Sequence, residues 1–461
     1  MWGSQSWLQP AFSRRWRTLK RFLPAMSAPP SSGRTTIESF GDILNSIPDP
    51  KAQIMQRREF FRRALALPLT GILAPLERLA AAEAGNVKIT DIKMRPSASH
   101  TQIRVDTDAG ISGMGESGVT APMMKAWMDI YKPLLVGQDP LAIGYHWHRM
   151  TTLMHTYMSR IPAMSGIDMA LWDLSGRLLN VPVYKLLGGP FRQEVPVFIN
   201  TEPRNMLDPV AVKDWADQFR ANPLGFRAAK INTHTIFGIP MGRYTTALNA
   251  ADLNKLRISF ANVRKELGLD YDIMVHCHNE YDLASAKAMA RAVEEIQPKW
   301  FEDPLPPQFS DSWVALKRDC RVPLLTGEKC EMPQGFYPFL KEQAVDYIYP
   351  DIAFCGGITA FMKIAALASV FRIPIATHNV GGIHLTMSCI HVGLSIMDFL
   401  TSEAAMGGAN GGVLALAKNP PLVKKGMAAR PEGPGLGVDL NEEAFRQRNA
   451  GRGGGTFQDW I

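Results

Sequence analysis

The chain has 461 residues, enough for one barrel domain of roughly 250 residues and a smaller domain of roughly 100. Its composition, 46% hydrophobic and 20% charged, is ordinary for a globular protein and excludes a disordered or fibrous chain. The net charge of +7 is concentrated in residues 1–84, which hold 12 Lys/Arg and 6 Asp/Glu. Residues 85–461 hold 38 Lys/Arg and 37 Asp/Glu, and this near balance excludes the clustered cations of a nucleic-acid-binding protein.

The N-terminal region carries the three parts of an export signal in their usual order. Paired arginines lie within residues 56–63, an apolar run follows at 64–74, and an Ala-Glu-Ala sequence comes next. This order resembles a twin-arginine signal, and the apolar run is too short for stable membrane insertion as a mature helix. We expect residues 1–84 to direct export to the periplasm. If this leader does not function, the protein is expected to be cytoplasmic. The alternative is a basic surface helix; Met26 or Met55 is the expected translation start.

A small α+β domain is predicted over residues 85–192. Alternating apolar residues predict three antiparallel strands, at 88–94, 101–110 and 111–116. Helical periodicity follows in three segments, at 122–135, 139–157 and 164–179.

Residues 193–403 change to short β-rich runs separated by helices. The candidate strands are 195–201, 225–232, 272–278, 298–304, 323–328, 347–352, 373–379 and 397–403. Eight strands that alternate with helices predict a closed parallel (β/α)8 barrel. The competing fold is an open doubly wound sheet, but no Gly-rich phosphate loop follows the first strand. Residues 404–461 are expected to return to the small domain.

Polar or ionisable side chains recur where the predicted barrel strands end. They are Lys230, His276, His278, Glu302, Glu328, Asp351, His378 and Glu403. Barrel enzymes build their active sites at these carboxyl ends. A single such residue is more often a capping group or a hydrogen-bonded core histidine, but recurrence on seven strands favours an active site. His384, His391 and Cys277 are assigned to packing.

Two carboxylates at the ends of adjacent strands indicate a cation. Glu302 and Glu328 each follow apolar strand residues, so their side chains are expected to share one volume. They would repel each other unless a cation lay between them. We therefore predict a divalent metal ion held by these two residues.

A carboxylate and an imidazole at the next two strand ends form a candidate general base. Asp351 ends the sixth strand and His378 ends the seventh, which makes them neighbours. A carboxylate orients an imidazole and raises its basicity. Because a proton next to a carboxylate is too weakly acidic for histidine alone, the base and the metal are parts of one mechanism.

Several motifs, in order along the chain, resemble the enolase superfamily over residues 86–461, specifically its mandelate racemase and sugar-acid dehydratase branch. The matching segments are 107–116, 166–174 and 186–189 in the small domain, and 301–304, 326–328, 350–358 and 377–379 in the barrel. The resemblance implies an enolase-type barrel with an α+β capping domain that closes over the barrel mouth, and a loop near residues 94–101 that contacts substrate. It also implies Mg²⁺ as the metal and a homo-oligomer.

The sequence departs from this family at the first metal ligand. His276 stands where the family has an aspartate. Because imidazole is a softer, neutral ligand, the change favours Mn²⁺, Fe²⁺ or Zn²⁺ over Mg²⁺. Two alternatives remain open: Glu280 reaches the metal from the following loop, or the site binds its ligand without turnover.

A second departure concerns the base on the other face of the substrate. The racemases of this branch carry Lys-x-Lys on strand two, whereas this chain has Lys230-Ile231-Asn232, and an amide cannot abstract a proton. A dehydratase instead needs one base and an acid for the departing hydroxyl group. The resemblance assigns that acid to His278; the alternative is a histidine that supports the metal ligands by hydrogen bonding.

These features predict a lyase that removes water from an aldonic or aldaric acid and yields a 2-keto-3-deoxy acid. His378, oriented by Asp351, is the base, while Lys230 neutralises the substrate carboxylate or shares the charge of the enediolate. Asn232 and Glu403 are expected to bind substrate. The alternatives are a racemase or epimerase of a hydroxy acid and a non-catalytic exported protein that binds a sugar acid.

Overall fold

The computed structural model describes residues 86–97, 100–152, 160–238, 247–278, 281–405, 409–449 and 459–461. The predicted leader and Glu280 therefore lie outside the described residues. Within the described ranges, no helix combines the length and the apolar character needed to cross a membrane.

The small domain is a three-stranded antiparallel sheet packed against helices. Its strands are β1 (Ile89–Ser97), β2 (His100–Thr107) and β3 (Ser112–Ser117), and its helices are α1 (Ala121–Leu135), α2 (Ile143–Thr152) and α3 (Arg160–Leu178). Helix α3 is buried along almost its whole length because β3 lies directly on it. Glycine is needed at that contact, since a Cβ atom on Gly115 would lie 2.2 Å from the backbone oxygen of Gly166.

The second domain is the predicted closed barrel. Its parallel strands are β4 (Glu194–Asn200), β5 (Ala228–Asn232), β6 (Asp272–His276), β7 (Trp300–Glu302), β8 (Leu324–Thr326), β9 (Tyr347–Ile348), β10 (Ile375–Thr377) and β11 (Phe399–Glu403). Each strand pairs with the next, and β11 pairs with β4 to close the ring. This topology confirms the (β/α)8 prediction and excludes an open sheet.

Long helices cover the outside of the barrel, short helices lie near the strand ends, and a hairpin pairs with β4. The helices are α4 (Val183–Leu186), α5 (Pro209–Arg220), α6 (His234–Phe237), α7 (Ala250–Leu267), α8 (Leu283–Val293), α9 (Asp311–Asp319), α10 (Met332–Lys341), α11 (Ile352–Cys355), α12 (Gly357–Phe371), α13 (Ile383–Ser395) and α14 (Glu442–Asn449). The hairpin strands are β12 (Val423–Lys424) and β13 (Met427–Ala429), and β13 pairs with β4. The 3-10 helices are Glu294–Ile296 and Ala409–Leu416.

Large side chains fill the inside of the barrel, so the barrel is a packed core rather than a pore. Phe198, Met274, Trp300, Leu325 and Tyr349 are buried together there. Their layer forms a floor, and the polar strand ends lie at the carboxyl side of the same strands.

The small domain is fixed to the loops at the barrel mouth. Glu116 of β3 accepts hydrogen bonds from the backbone N–H groups of Gly382 (2.6 Å) and His384 (3.2 Å). Asp168 of α3 accepts from both the backbone and the hydroxyl group of Thr359 at the start of α12. These contacts hold the small domain over the carboxyl ends of the strands.

The C-terminal residues bind the small domain. Ile461 pairs with Met94 of β1 through two backbone hydrogen bonds. The buried guanidinium group of Arg95 lies between the rings of Phe445 and Trp460, at 4.3 and 4.2 Å from their centroids. The described part of residues 404–461 thus contacts both domains.

Candidate active site

Strand register brings the predicted site residues to one level. His276 pairs with Asn232 on one side and with Glu302 on the other. A backbone bridge joins Asp351 to His378 just beyond β9 and β10. Neighbouring strands therefore end together, and their polar side chains lie at a common mouth.

A cavity of about 620 Å³ opens at this mouth. Its lining residues are Asn200, Lys230, His276, His278, Glu328, Lys329, Glu331, Phe354, His378 and Val380. Three other predicted residues lie buried behind this lining and contact it: Glu302, Asp351 and Glu403. Of the nine predicted site residues, only Asn232 neither lines the cavity nor contacts a predicted neighbour through its side chain, as far as the described residues extend.

Four buried residues form a cluster with the geometry of a metal site. His276, Glu302, Asp303 and Glu328 each offer a ligand atom, and these atoms all lie within 4.8 Å of one another. The Nε2 atom of His276 lies 3.4 Å from Oε1 of Glu302 and 3.5 Å from Oε2 of Glu328.

Unsatisfied polar atoms support a cation in this cluster. Within the described residues, neither ring nitrogen of His276, nor Oδ2 of Asp303, nor Oε2 of Glu328 has a hydrogen-bond partner, although all are buried. Buried polar atoms usually have a partner. Carboxylate oxygens and a neutral imidazole are the donor set of Mn²⁺, Fe²⁺ and Zn²⁺ and include the oxygen ligands of Mg²⁺, so the residues fit a divalent metal.

The pKa values of the cluster residues also favour a bound cation. Burial raises the pKa of Glu302 and of Asp303, against the attraction of nearby ammonium groups. Burial lowers the pKa of His276 well below its usual value, and the ammonium group of Lys230 adds to this effect. An imidazole that stays neutral keeps a lone pair for a metal.

Asp303 is a cluster member that the sequence did not reveal. In an ordinary strand, successive side chains point to opposite faces, so the residue after Glu302 is expected to point away. Asp303 instead has a φ of 48°, which ends the strand and turns its carboxylate toward the cluster. The hydroxyl group of Thr326 donates to its Oδ1 at 2.5 Å and fixes it there.

The predicted base dyad is formed. Nδ1 of His378 lies 2.6 Å from Oδ2 of Asp351, and Oδ1 of Asp351 accepts from the backbone N–H group of Ala353 at 2.6 Å. With both carboxylate oxygens held, the imidazole is fixed with Nε2 toward the cavity, 3.3 Å from Oε2 of Glu328. Burial opposes a charge on His378, but Glu328, Asp351 and Glu403 outweigh it and raise its pKa to about 9.

His278 lies against the ring of His276, with ring centroids 3.8 Å apart. Its φ of 57° is left-handed, and the ammonium group of Lys329 donates to its backbone oxygen at 2.8 Å. Burial lowers the pKa of His278 to about 4, against the attraction of Glu328. The left-handed backbone keeps His278 on the cavity wall although it lies beyond the end of β6.

Lys230 connects two carboxylates beneath the cavity. Its Nζ atom lies 2.8 Å from Oε2 of Glu403 and 3.3 Å from Oε1 of Glu302, and its side chain is 1% exposed. Tyr349, which is not among the predicted site residues, donates a hydrogen bond from its hydroxyl group to the same oxygen of Glu403.

Asn232 lies beside the cavity rather than in its lining. Its Nδ2 atom donates to Oδ1 of Asn200 at 3.0 Å, and Asn200 lines the cavity. Its substrate-binding role stays a prediction, with Asn200 between it and the cavity.

The described part of the hairpin at the predicted substrate-contact loop reaches the cavity wall. The ring of His100 lies edge-on to that of Phe354, with centroids 6.2 Å apart. Phe354 lines the cavity. Substrate contact by this loop stays a prediction.

Two family models match the chain. The model "Mandelate racemase / muconate lactonizing enzyme, N-terminal domain" matches residues 84–188, and "Enolase C-terminal domain-like" matches residues 212–444. The chain belongs to the enolase superfamily. The resemblance that its motifs indicate is therefore confirmed at the level of the superfamily and of its two domains.

Similar members of the enolase superfamily are named as sugar-acid dehydratases. The chain is 33% identical to the D-xylonate dehydratase of Haloferax volcanii, over 74% of this chain and 83% of that enzyme. It is 29% identical to the D-galactonate dehydratase of Verminephrobacter eiseniae, over 75% and 90%. The D-gluconate dehydratase of Thermoproteus tenax is 28% identical, over 76% and 69%.

Solved structures of the superfamily share the fold. An enolase superfamily member from Salmonella Typhimurium has a TM-score of 0.72 and 27% identity, covering 78% of this chain and 98% of that one. A mandelate racemase/muconate lactonizing enzyme from Jannaschia sp. CCS1 has a TM-score of 0.70 and 25% identity, covering 78% and 97%.

Proposed function

We propose that this protein is a metal-dependent dehydratase that converts a sugar acid into a 2-keto-3-deoxy acid. The observation that carries the proposal is the pairing of His378 with Asp351 beside the carboxylate and imidazole cluster of one cavity. The names of the three relatives support the substrate class. Glu302, Glu328, His276 and Asp303 would hold a divalent cation, which would supply positive charge for the substrate carboxylate.

The first step is removal of the α-proton by His378. Its Nε2 atom takes the proton while Asp351 accepts the hydrogen bond from Nδ1–H, which stabilises the imidazolium ion that forms. A cation held by Glu328 and its neighbours would offset the negative charge that raises the pKa of His378, and would so leave Nε2 unprotonated before this step. Lys230 lies below the same cavity and contributes positive charge near the substrate carboxylate. The electron pair of the broken C–H bond then forms a double bond toward the carboxylate.

The second step is loss of the β-hydroxyl group. The bond between the β-carbon and its oxygen breaks, and His278 gives a proton to the departing oxygen, so that water leaves. A bound sugar acid adds negative charge to the cavity, which would raise the pKa of His278 above the value of about 4 that burial gives it and favour the protonated ring. The product is an enol, which becomes the 2-keto-3-deoxy acid when a proton adds at carbon 3. The place of His278 in the same cavity lining as His378 supports this role.

Asn232 is the feature that favours dehydration over racemisation. A racemase needs groups on both faces of the α-carbon that exchange a proton. The amide of Asn232 cannot accept one, and it is already bound to Asn200. Of the two residues compared, only His378 can act as a base, on one face of the α-carbon.

The charges around the cavity favour aldonic over aldaric acids. The ammonium groups of Lys230 and Lys329 each lie within 3.3 Å of a carboxylate oxygen, and Glu331 adds a negative charge to the lining. A second substrate carboxylate would therefore meet negative charge as well as positive. We expect the preferred substrate to carry one carboxylate and a polyol chain.

The test is to incubate the purified protein in D₂O with a panel of aldonic and aldaric acids and Mg²⁺ or Mn²⁺, and to follow proton NMR spectra. The expected result is loss of the α-proton signal together with a new signal from a 3-deoxy carbon. Exchange of the α-proton without water loss would replace the proposal with a racemase or epimerase. Ligand stabilisation without any product would replace it with a binding protein.

We also propose that residues 56–84 direct export. The order of paired arginines, apolar run and Ala-Glu-Ala sequence supports this. The test is fractionation of cells that express the full chain, with Arg57 and Arg58 changed together to lysine as the comparison. Periplasmic recovery that disappears in the double lysine variant is expected, and equal cytoplasmic recovery of both would refute export.

A further inference from the structure

Tyr349 contacts three groups of the site from the barrel interior. Its hydroxyl group donates a hydrogen bond to Oε2 of Glu403. The Nζ atom of Lys230 lies 5.2 Å from the centroid of its ring, and the ring of His378 stands nearly perpendicular to it at 5.4 Å. Tyr349 therefore touches the base, the ammonium group and a carboxylate at once.

The oxygen that accepts the hydrogen bond from Tyr349, Oε2 of Glu403, contacts two other site residues. Oε2 of Glu403 also accepts from Nζ of Lys230 at 2.8 Å, and it lies 3.8 Å from Nε2 of His378. Two donors on one oxygen fix the direction of the carboxylate, because each must lie near a lone pair. A change at Tyr349 would thus reach Lys230 through Glu403.

The chain of contacts continues to the metal cluster. Lys230 lies 3.3 Å from Oε1 of Glu302, and the other oxygen of Glu302 accepts from the indole N–H group of Trp300 at 2.9 Å. All of these side chains are buried, and a buried polar group that loses its partner is destabilised. The hydroxyl group of Tyr349 stands at the start of this chain.

The ring of Tyr349 is held independently of its hydroxyl group. It stacks on Phe198 with centroids 6.4 Å apart and lies 6.2 Å from the ring of Trp300. Its side chain is fully buried. A phenylalanine at this position would keep the packing and lose only the hydrogen bond.

We propose that Tyr349 is a positioning residue, whose hydroxyl group orients Glu403 and, through Glu403, holds Lys230 in the place that the reaction requires. The inference rests on the proposed function, because Lys230 serves the substrate carboxylate there. Tyr349 itself does not line the cavity within the described residues, so it acts through its neighbours.

The test compares four forms of the full chain: the wild type, Tyr349→Phe, Glu403→Gln and the double variant. We expect Tyr349→Phe to lower kcat about tenfold and to change KM by less than about twofold, because the negative charge that Lys230 meets on the substrate carboxylate grows as the α-proton leaves. The double variant is expected to be no slower than Glu403→Gln alone, because residues that act through one another are not additive. Independent effects that multiply in the double variant, or a Tyr349→Phe enzyme with wild-type kcat, would overturn the inference.

The matched control is Tyr347→Phe. Tyr347, the first residue of β9, also packs against Trp300, with ring centroids 6.3 Å apart, but it lies two residues further from the strand end that carries the site residues. This variant is expected to keep wild-type kcat. An equal loss in both phenylalanine variants would mean that β9 packing is responsible, and would overturn the inference.

Crystal structures of the wild type and of Tyr349→Phe separate this inference from the proposed function. We expect the Glu403 carboxylate to rotate and Nζ of Lys230 to leave its 2.8 Å contact in the variant. Unchanged positions would refute positioning by Tyr349 whatever the activity. A wild type that dehydrates no sugar acid would refute the proposed function, while the structures would still decide the role of Tyr349.

Discussion

Nε2 of His276 lies 3.4 Å from Oε1 of Glu302, and the two residues are directly paired between β6 and β7. An imidazole thus occupies one side of the cluster. The cluster still holds three carboxylates, those of Glu302, Asp303 and Glu328, so it has charge enough for a divalent ion. The imidazole of His276 changes which divalent ion the cluster prefers.

Metal preference should follow the residue at position 276. We expect the wild type to bind Mn²⁺ at least about tenfold more tightly than Mg²⁺, because imidazole favours later transition metals. In His276→Asp the preference should move toward Mg²⁺, since a hard oxygen ligand replaces nitrogen. Calorimetric titration with each metal checks this, and an unchanged affinity ratio in the variant would show that His276 is not a ligand.

Removal of the proposed acid should separate the two halves of the reaction. In His278→Asn we expect dehydration to fall at least about 100-fold, while exchange of the α-proton in D₂O continues, because the base remains. Both rates come from one NMR time course, so exchange serves as the internal control. Loss of both to the same extent would assign His278 to support of the metal ligands instead.

Stability between pH 4 and pH 7 should depend on His391. The backbone N–H group of Tyr184 donates to its Nδ1 at 3.0 Å, which requires a neutral ring, and burial lowers the pKa of His391 from 6.5 to about 4. The unfolded chain therefore binds a proton in this window that the folded chain does not, so the stabilisation is complete above pH 6.5 and is lost as the pH falls toward 4.

The size of this effect follows from the pKa change. It contributes on the order of 3 kcal/mol to the free energy of unfolding at neutral pH relative to pH 4. In His391→Gln the decline in unfolding free energy with falling pH should be shallower by a similar amount. Denaturant titrations at several pH values measure it; parallel curves for the two proteins would argue against a titrating His391.

The contact between β3 and α3 should not tolerate a larger residue. Gly115→Ala would place a methyl group 2.2 Å from the backbone oxygen of Gly166, so the strand must move. We expect the free energy of unfolding to fall by about 2 kcal/mol. The control is Gly144→Ala on α2, where a methyl group meets nothing within 4 Å, and which should change stability little. Equal stability of both variants would contradict a close contact between Gly115 and Gly166.

The barrel and the dyad could be predicted because their signals lie in ordinary strands. Apolar runs end in a polar residue, and parallel pairing then brings those ends together, as it does for His276 with Glu302 and for Asp351 with His378. Asp303 could not be predicted in the same way, since a φ of 48° reverses the direction that strand alternation gives. His278 keeps its place through a similar left-handed backbone and the ammonium group of Lys329, neither of which the sequence reveals.

The proposed role of Tyr349 cannot be predicted from the sequence, for a different reason. It lies two residues before Asp351, and alternation places both side chains on the inner face. An aromatic residue there is typical of barrel packing, and Tyr349 does pack in the floor. The hydrogen bond of its hydroxyl group to Glu403 and its ring contacts with Lys230 and His378 distinguish it from an ordinary core residue.

The most direct test of the proposed mechanism is the His378→Asn variant, with His148→Asn, an exposed histidine on α2, as its control. Each protein is incubated with the substrate found in the panel, in D₂O with Mn²⁺, and both α-proton exchange and product formation are followed by NMR. We predict that both rates fall about 1,000-fold in His378→Asn and are unchanged in His148→Asn. Exchange of the α-proton at the wild-type rate in His378→Asn would contradict the assignment of the base and with it the mechanism.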